Sequence, residues 1–187
     1  METPNPKDNF LVGFLSLIET EAKDGYLGAI LVTDAQGIPQ EFRCTHPVKP
    51  TTVQRSLYGD TLLPHIGINL CGIPLIKVIQ TKPALILVRY ASFLPIRSAS
   101  LCPVAVVQRA GTTIEVHTPT DQSPLIRIRL ESPIARFQPV VIETSKAESQ
   151  TVQALLQTKF AGLDPLEPFE RIISAVQLLN KYDKRFQ

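Results

Sequence analysis

The chain is poor in the features that usually announce a chemistry. It has only three cysteines, Cys44, Cys71 and Cys102, widely separated and never arranged as Cys-x-x-Cys. That odd, scattered set argues against both a disulfide framework and a zinc ribbon. Reduced thiols of this kind lead us to expect a cytoplasmic protein. No cationic stretch precedes an apolar core at the amino terminus, and the longest apolar runs are broken by Gly, Pro or charge well short of a membrane span. No membrane partner is therefore expected.

A charge excess is lacking as well. The formal net charge is +2, with 8 basic and 8 acidic side chains in residues 1–93 against 11 and 9 in residues 94–187. So small a bias does not by itself announce a nucleic-acid binder, although what excess there is lies in the second half. Catalytic signatures are missing in the same way. There is no Gly-x-Ser-x-Gly, and His46, His65 and His117 each lack a nearby Ser or Cys in a suggestive motif. Gly67 and Gly72 match neither phosphate-loop pattern and interrupt a helical stretch rather than follow a strand. No cofactor is implied, and no internal repeat or low-complexity tract occurs.

What is abundant is proline, 16 of the 187 residues, which cuts the chain into short elements and argues against long coiled coils. Between the prolines the pattern is that of a packed sheet. Tyr26–Thr33 is an apolar run ending in Asp34-Ala35-Gln36-Gly37, the chemistry of a type I turn closed by glycine at positive φ, after which a second extended run returns. Residues 10–20 satisfy both helical and period-two spacing. The Lys23-Asp24-Gly25 hairpin signal favours a strand there, making residues 10–45 a three-stranded meander.

Pro50-Thr51-Thr52 opens a different texture, with Thr51 or Thr52 as N-cap and apolar residues at helical spacing to Ile76. Pro64 and Pro74 are expected to kink or interrupt this long helix. Ala84–Val88 reads as a central strand buried on both faces and covered by that helix. Val104–Gln108 and Thr113–His117 form an expected hairpin about Ala110-Gly111, and Leu125–Leu130 and Val140–Glu143 continue the β pattern. Two helices close the chain. The first carries a Ser145/Glu148 capping box and Gly162 past its end, and the second has Asp164 as N-cap and Pro165 at its first position.

The expected fold is α+β: an N-terminal meander, a long interrupted helix on a mixed or mainly antiparallel sheet, and two C-terminal helices. Parts of this order resemble the strand-strand-helix-three-strand plan of small scaffold domains of the profilin-like and roadblock-like kind. Residues 1–8 are expected to be a loose N-terminus, 9–145 the sheet domain, and 146–187 a helical element packed on it within one domain.

Four sets of side chains are candidates for chemistry. Cys44-Thr45-His46 places a soft ligand beside an imidazole, but too few ligands accompany it for zinc, so no metal is expected and Cys44 reads as a small buried hydrophobe beside Phe42. Asp34, Glu41 and Arg43 imitate the two carboxylates and cation of metal-dependent nucleases, with His46 close by. Asp34, however, holds the first position of a turn, where its side chain bonds backbone amides. In Leu125-Ile126-Arg127-Ile128-Arg129-Leu130-Glu131, alternation puts Arg127, Arg129 and Glu131 on an open face, where two arginines can grip phosphate or a partner's carboxylates. The competing role for that face is a solvated surface with a cross-strand ion pair. Arg97, Arg109 and Arg136 extend it only if their elements neighbour it. Finally, the Leu166, Phe169, Ile172, Val176 stripe of the last helix packs in the core or docks on a partner.

With no convergent polar constellation in view, the sequence ranks a non-catalytic protein-binding or assembly subunit first, acting through a protein partner or a second copy. A nucleic-acid-associated protein using Arg127 and Arg129 is the alternative. A metal-dependent hydrolase or nuclease built on Asp34, Glu41, Arg43 and His46 comes third. Charge reversal at both arginines is expected to leave the fold intact.

Overall fold

The computed structural model describes residues 10–111, 125–132, 134–159 and 163–183. Its strands are β1 (Val12–Glu19), β2 (Tyr26–Thr33), β3 (Pro39–Cys44), β4 (Leu85–Val88), β5 (Val104–Arg109), β6 (Leu125–Leu130) and β7 (Val140–Ser145). They form one mixed seven-stranded sheet in the order β3-β2-β1-β4-β5-β7-β6. β4 runs parallel to β1 and to β5, and every other pairing is antiparallel. The α+β class and the meander of residues 10–45 are as expected.

The ambiguity of residues 10–20 has a structural cause. Val12, Gly13, Phe14 and Leu15 are all buried, because β1 lies inside the sheet and is covered on both faces. A strand apolar on both sides loses its period-two signature. In the first hairpin the left-handed residue is Lys23, at φ 55°. In the second, Gly37 takes the positive φ of 82° that the turn pattern requires.

Helix α1 runs from Thr52 to Val78. Thr51 caps it as expected: its Oγ1 accepts from the Gln54 amide at 3.2 Å, while the Gln54 Oε1 accepts from the Thr51 amide at 2.8 Å. Pro64 and Pro74 do not break it. The helix changes pitch instead, tightening to 3₁₀ at Gly59–Thr61 and loosening to a π turn at Ile66–Gly72 just before Pro74. That absorbs the missing amide donors without ending the helix. One consequence corrects the expectation drawn from run lengths: this 27-residue helix, with an 18-residue stretch of mean hydropathy 1.4, is by length and composition long and apolar enough to cross a membrane. Here it lies along the sheet. Ile66, Cys71 and Leu75 are buried, while its first segment, Thr52–Tyr58, buries no residue.

α1 and a 3₁₀ helix (Ala91–Ala99) cover one face of the sheet, with Leu75, Phe93 and Ile96 packed on Leu15, Ile30, Val32, Ile86, Val88, Val104 and Val106. The opposite face packs against α2 (Ser149–Lys159), through Val152 and Leu156, and α3 (Glu167–Tyr182), through Phe169, Ile172 and Val176. The stripe of the closing helix is therefore core. Both closing helices start later than expected. Ser145 ends β7, so α2 begins at Ser149, and Asp164 Oδ1 accepts the Leu166 amide at 3.0 Å ahead of α3, whose first turn holds Pro168 rather than Pro165. The expected partner of β5 at Thr113–His117, the Gly162 cap and residues 1–8 lie outside the described residues. Among those described, β5 pairs with β4 and β7.

The approach of α1 to β2 gives a test of this packing. A Cβ on Gly28 would stand 2.5 Å from the Cys71 Cβ and 3.2 Å from the Leu75 Cδ1. Gly28→Ala is expected to cost about 1–3 kcal/mol through overpacking. The measurement is a lower denaturant midpoint at unchanged m value. Adding Cys71→Gly should recover part of the loss.

Candidate nucleic-acid interface

The far end of the sheet is built by β7 and the edge strand β6, paired from Leu125↔Ser145 to Leu130↔Val140. Alternation sends Ile128 and Leu130 into the core under α2, with Ile126 packed beside them. Arg127 and Arg129 emerge on the other face, as the sequence implied. The apolar cluster beneath α1 and the 3₁₀ helix contains no β6 or β7 residue. This part of the face is correspondingly open: the two arginine side chains are 59% and 62% exposed.

Each arginine is held by a carboxylate through one nitrogen. Arg127 stands directly opposite Glu143 on β7, and its Nε meets the Glu143 Oε1 at 2.7 Å. The Glu143 side chain is only 6% exposed, so the guanidinium lies over it like a lid. Arg129 Nε meets the Glu131 Oε1 at 2.6 Å. In both cases the two terminal nitrogens have no protein partner among the described residues. Anchoring at Nε fixes the plane of the guanidinium and leaves its outer pair of donors, the fork that matches a phosphate, facing outward.

Sequence reasoning missed Glu143, because only the strand register brings it under Arg127. Its presence also corrects the expected tolerance of charge reversal. Arg127→Glu would set two carboxylates face to face over a buried site, and a like-charge pair of that kind is destabilising. Of the remaining arginines, Arg109 points to the opposite face, where it donates to Gln138 O and to Asp164 Oδ2, each at 2.8 Å. Arg97, on the 3₁₀ helix, pairs with Glu148 and donates to Ser100 O. Arg136 is exposed in the loop before β7. Arg109 thus does not extend the patch.

Asp34, Glu41, Arg43 and His46 are brought near one another along the chain but not into one pocket. Asp34 is spent on its turn: Oδ1 accepts from the Gln36 and Ile38 amides at 3.0 and 2.8 Å, and Oδ2 from the Gln40 side chain at 3.2 Å. Glu41 points to the α1 face and clamps the end of that helix. Its carboxylate accepts from the Gln80 amide at 2.9 Å, from the Thr81 amide and hydroxyl at 2.8 Å each, and from Arg43 Nε at 2.8 Å. Partial burial pushes the Glu41 carboxyl up. The Thr81 amide, Arg43, the Thr81 hydroxyl and the Gln80 amide outweigh it and hold the group down at about 2. His46 is exposed beyond the end of β3. Cys44 packs beside Phe42 against the core, as expected, and burial pushes all three thiols up, away from nucleophilic thiolates. Among the described residues no group of three or more His, Cys, Asp or Glu side chains is placed to hold a metal ion.

No protein-family model and no curated protein matches the chain. Among solved structures it is similar to endonuclease V of Streptomyces avermitilis, with 14% identity, 76% of this chain and 68% of that one covered, and a TM-score of 0.46. It is also similar to endonuclease V of Bacillus subtilis, with 11% identity, 73% of this chain covered and a TM-score of 0.43, spanning 64% of the length of that protein. The Argonaute of Marinitoga piezophila bound to a 5′-OH guide RNA shares 11% identity over 80% of this chain and 26% of its own, at a TM-score of 0.37.

Proposed function

We propose that this protein associates with nucleic acid through the open β6–β7 face, with Arg127 and Arg129 as its phosphate contacts. The supporting observation is the geometry of those two side chains. They stand two residues apart on one strand, roughly 7 Å along it, each tethered at Nε with its outer donors unclaimed. The rival ranking, an assembly subunit, rested on the absence of a convergent polar constellation, and the closing helix was the one element that offered it a docking surface. That helix spends its apolar stripe on the sheet, with Phe169, Ile172 and Val176 at most 1% exposed.

The test is salt-dependent binding of a fluorescein-labelled single-stranded oligonucleotide. Two phosphate contacts on a single strand imply a slope of log K against log salt of about −1.4, or about −0.7 per contact. Arg127→Lys together with Arg129→Gln keeps Glu143 paired while removing both forks. That variant is expected to bind more weakly across all sequences, with a slope near half the wild-type value and unchanged stability. Equal binding and slope in wild type and variant would overturn the reading.

A further inference from the structure

β4 ends at Val88, while the strands that flank it in parallel run on to Glu19 (β1) and Arg109 (β5), and the carboxyl ends of parallel strands are where open sheets commonly hold ligands. The first residue beyond β4 is Arg89. It is half-buried, and its guanidinium carbon lies 5.6 Å from the centroid of the Phe169 ring. That ring is itself buried and meets Phe14 edge-on at 5.6 Å. Seven cationic side chains of the described residues form ion pairs with carboxylates. Arg89 forms none, and it donates no hydrogen bond among the described residues either. Its donors are therefore open to an incoming acceptor.

A second polar group lies on the same face of the neighbouring strand. β1 and β4 pair from Val12↔Leu85 to Leu15↔Val88, so Ser16 and Arg89 each follow the last pair, and alternation puts Ser16 on the Phe14 face of the sheet, the face on which Arg89 meets Phe169. Ser16 is the one polar residue within an otherwise apolar stretch of β1. It is half-buried, and its hydroxyl has no hydrogen-bond partner among the described residues. Adjacent strands lie about 4.8 Å apart, so a single small anion can reach both side chains. Sequence reading passed over both residues, although a serine inside an apolar strand and a cation at the end of one were visible signals.

The geometry points to a second anion site at the end of β4, in which Arg89 grips a phosphate group with two parallel N–H donors and Ser16 donates its hydroxyl to a third oxygen. The Phe169 ring fixes the plane of the guanidinium from below by cation–π contact. This site lies on the sheet face opposite Arg127 and Arg129 and stands independently of the reading above. The ligand chemistry is a phosphate monoester or diester, supplied either by a mononucleotide or by a nucleic-acid backbone.

The test is thermal unfolding of the full chain in inorganic phosphate, in a 5′-mononucleotide and in the corresponding nucleoside, together with titration of a 12-mer oligodeoxynucleotide. Wild type is expected to be stabilised by the phosphate-bearing probes and not by the nucleoside, because a ligand that binds the folded state raises its melting temperature. Arg89→Gln should weaken phosphate binding at least tenfold, and Ser16→Ala about threefold. The probes are compared in the Arg127→Lys, Arg129→Gln background, which removes the phosphate forks of the β6–β7 face, so that the failure of this proposal and of the reading above are told apart. A preference for the mononucleotide over the 12-mer assigns the site to small phosphate monoesters, and the reverse assigns it to a backbone. Should Arg89→Gln prove unstable, Arg89→Lys keeps the charge without the fork and is expected to lose most of the affinity. Equal stabilisation of wild type, Arg89→Lys and Ser16→Ala by phosphate, or none in wild type, would overturn the proposal.

Discussion

Phe169→Ala is expected to destabilise the protein by about 3–5 kcal/mol, the usual cost of deleting a buried ring. For a chain of this length that corresponds to a melting temperature lower by roughly 6–20 °C. The size of the effect follows from the position of the ring. It is 1% exposed, meets Phe14 edge-on and carries the Arg89 guanidinium on its face. Truncation thus empties a cavity between α3 and β1 and removes an aromatic pair along with it. Differential scanning calorimetry reads the outcome. A melting temperature unchanged within error would show that α3 does not close the core and would return it to the role of a docking helix.

Glu41→Gln is expected to cost about 1.5–3 kcal/mol at neutral pH, the range for hydrogen bonds to a charged group. The loss should depend on pH in a defined sense. Glu41 titrates at about 2 in the folded protein, below its ordinary 4.5. A carboxyl lowered in this way adds stability that is fully present above the unfolded value near 4.5 and disappears as the pH falls through about 2. Wild type should therefore exceed the variant in urea stability at pH 7, and the gap should close between pH 4.5 and pH 2. A gap that stays constant over that range would mean that shape, not charge, explains the clamp on Gln80 and Thr81.

Where the sequence was legible, one local rule decided the outcome. The limits of β2 follow from an apolar run ending at Asp34, and the start of α1 from the Thr51/Gln54 box. Alternation in Leu125–Leu130 placed both arginines on the correct face. Where two rules competed, reading was harder. Pro64 and Pro74 were weighed as helix breakers, yet the packing of Ile66, Cys71 and Leu75 on the sheet holds the helix together through changes of pitch. Ser145 was read as a cap because Glu148 follows at the right spacing, while its pairing with Leu125 makes it the last residue of β7. The candidate site was half visible. The arginines declare themselves by alternation, but Glu143 beneath Arg127 depends on the register between strands joined through a long connection. Glu41 is more remote still: its partners lie about forty positions away, and nothing near Glu41 in sequence points to them.

The strand order also bears on how the chain is made. β1 receives β2 and β3 early, since the meander is complete at Cys44, but its other edge must wait for Leu85–Val88. At ribosomal speeds of about 5–20 residues per second, the stretch from Thr45 to Val88 takes about 2–9 s to emerge. Throughout that interval the nascent chain presents an unpaired apolar edge running from Val12 to Leu15, a ready template for mispairing. Synthesis therefore passes through a window in which that edge stands open to mispairing, and the window closes when β4 pairs with β1.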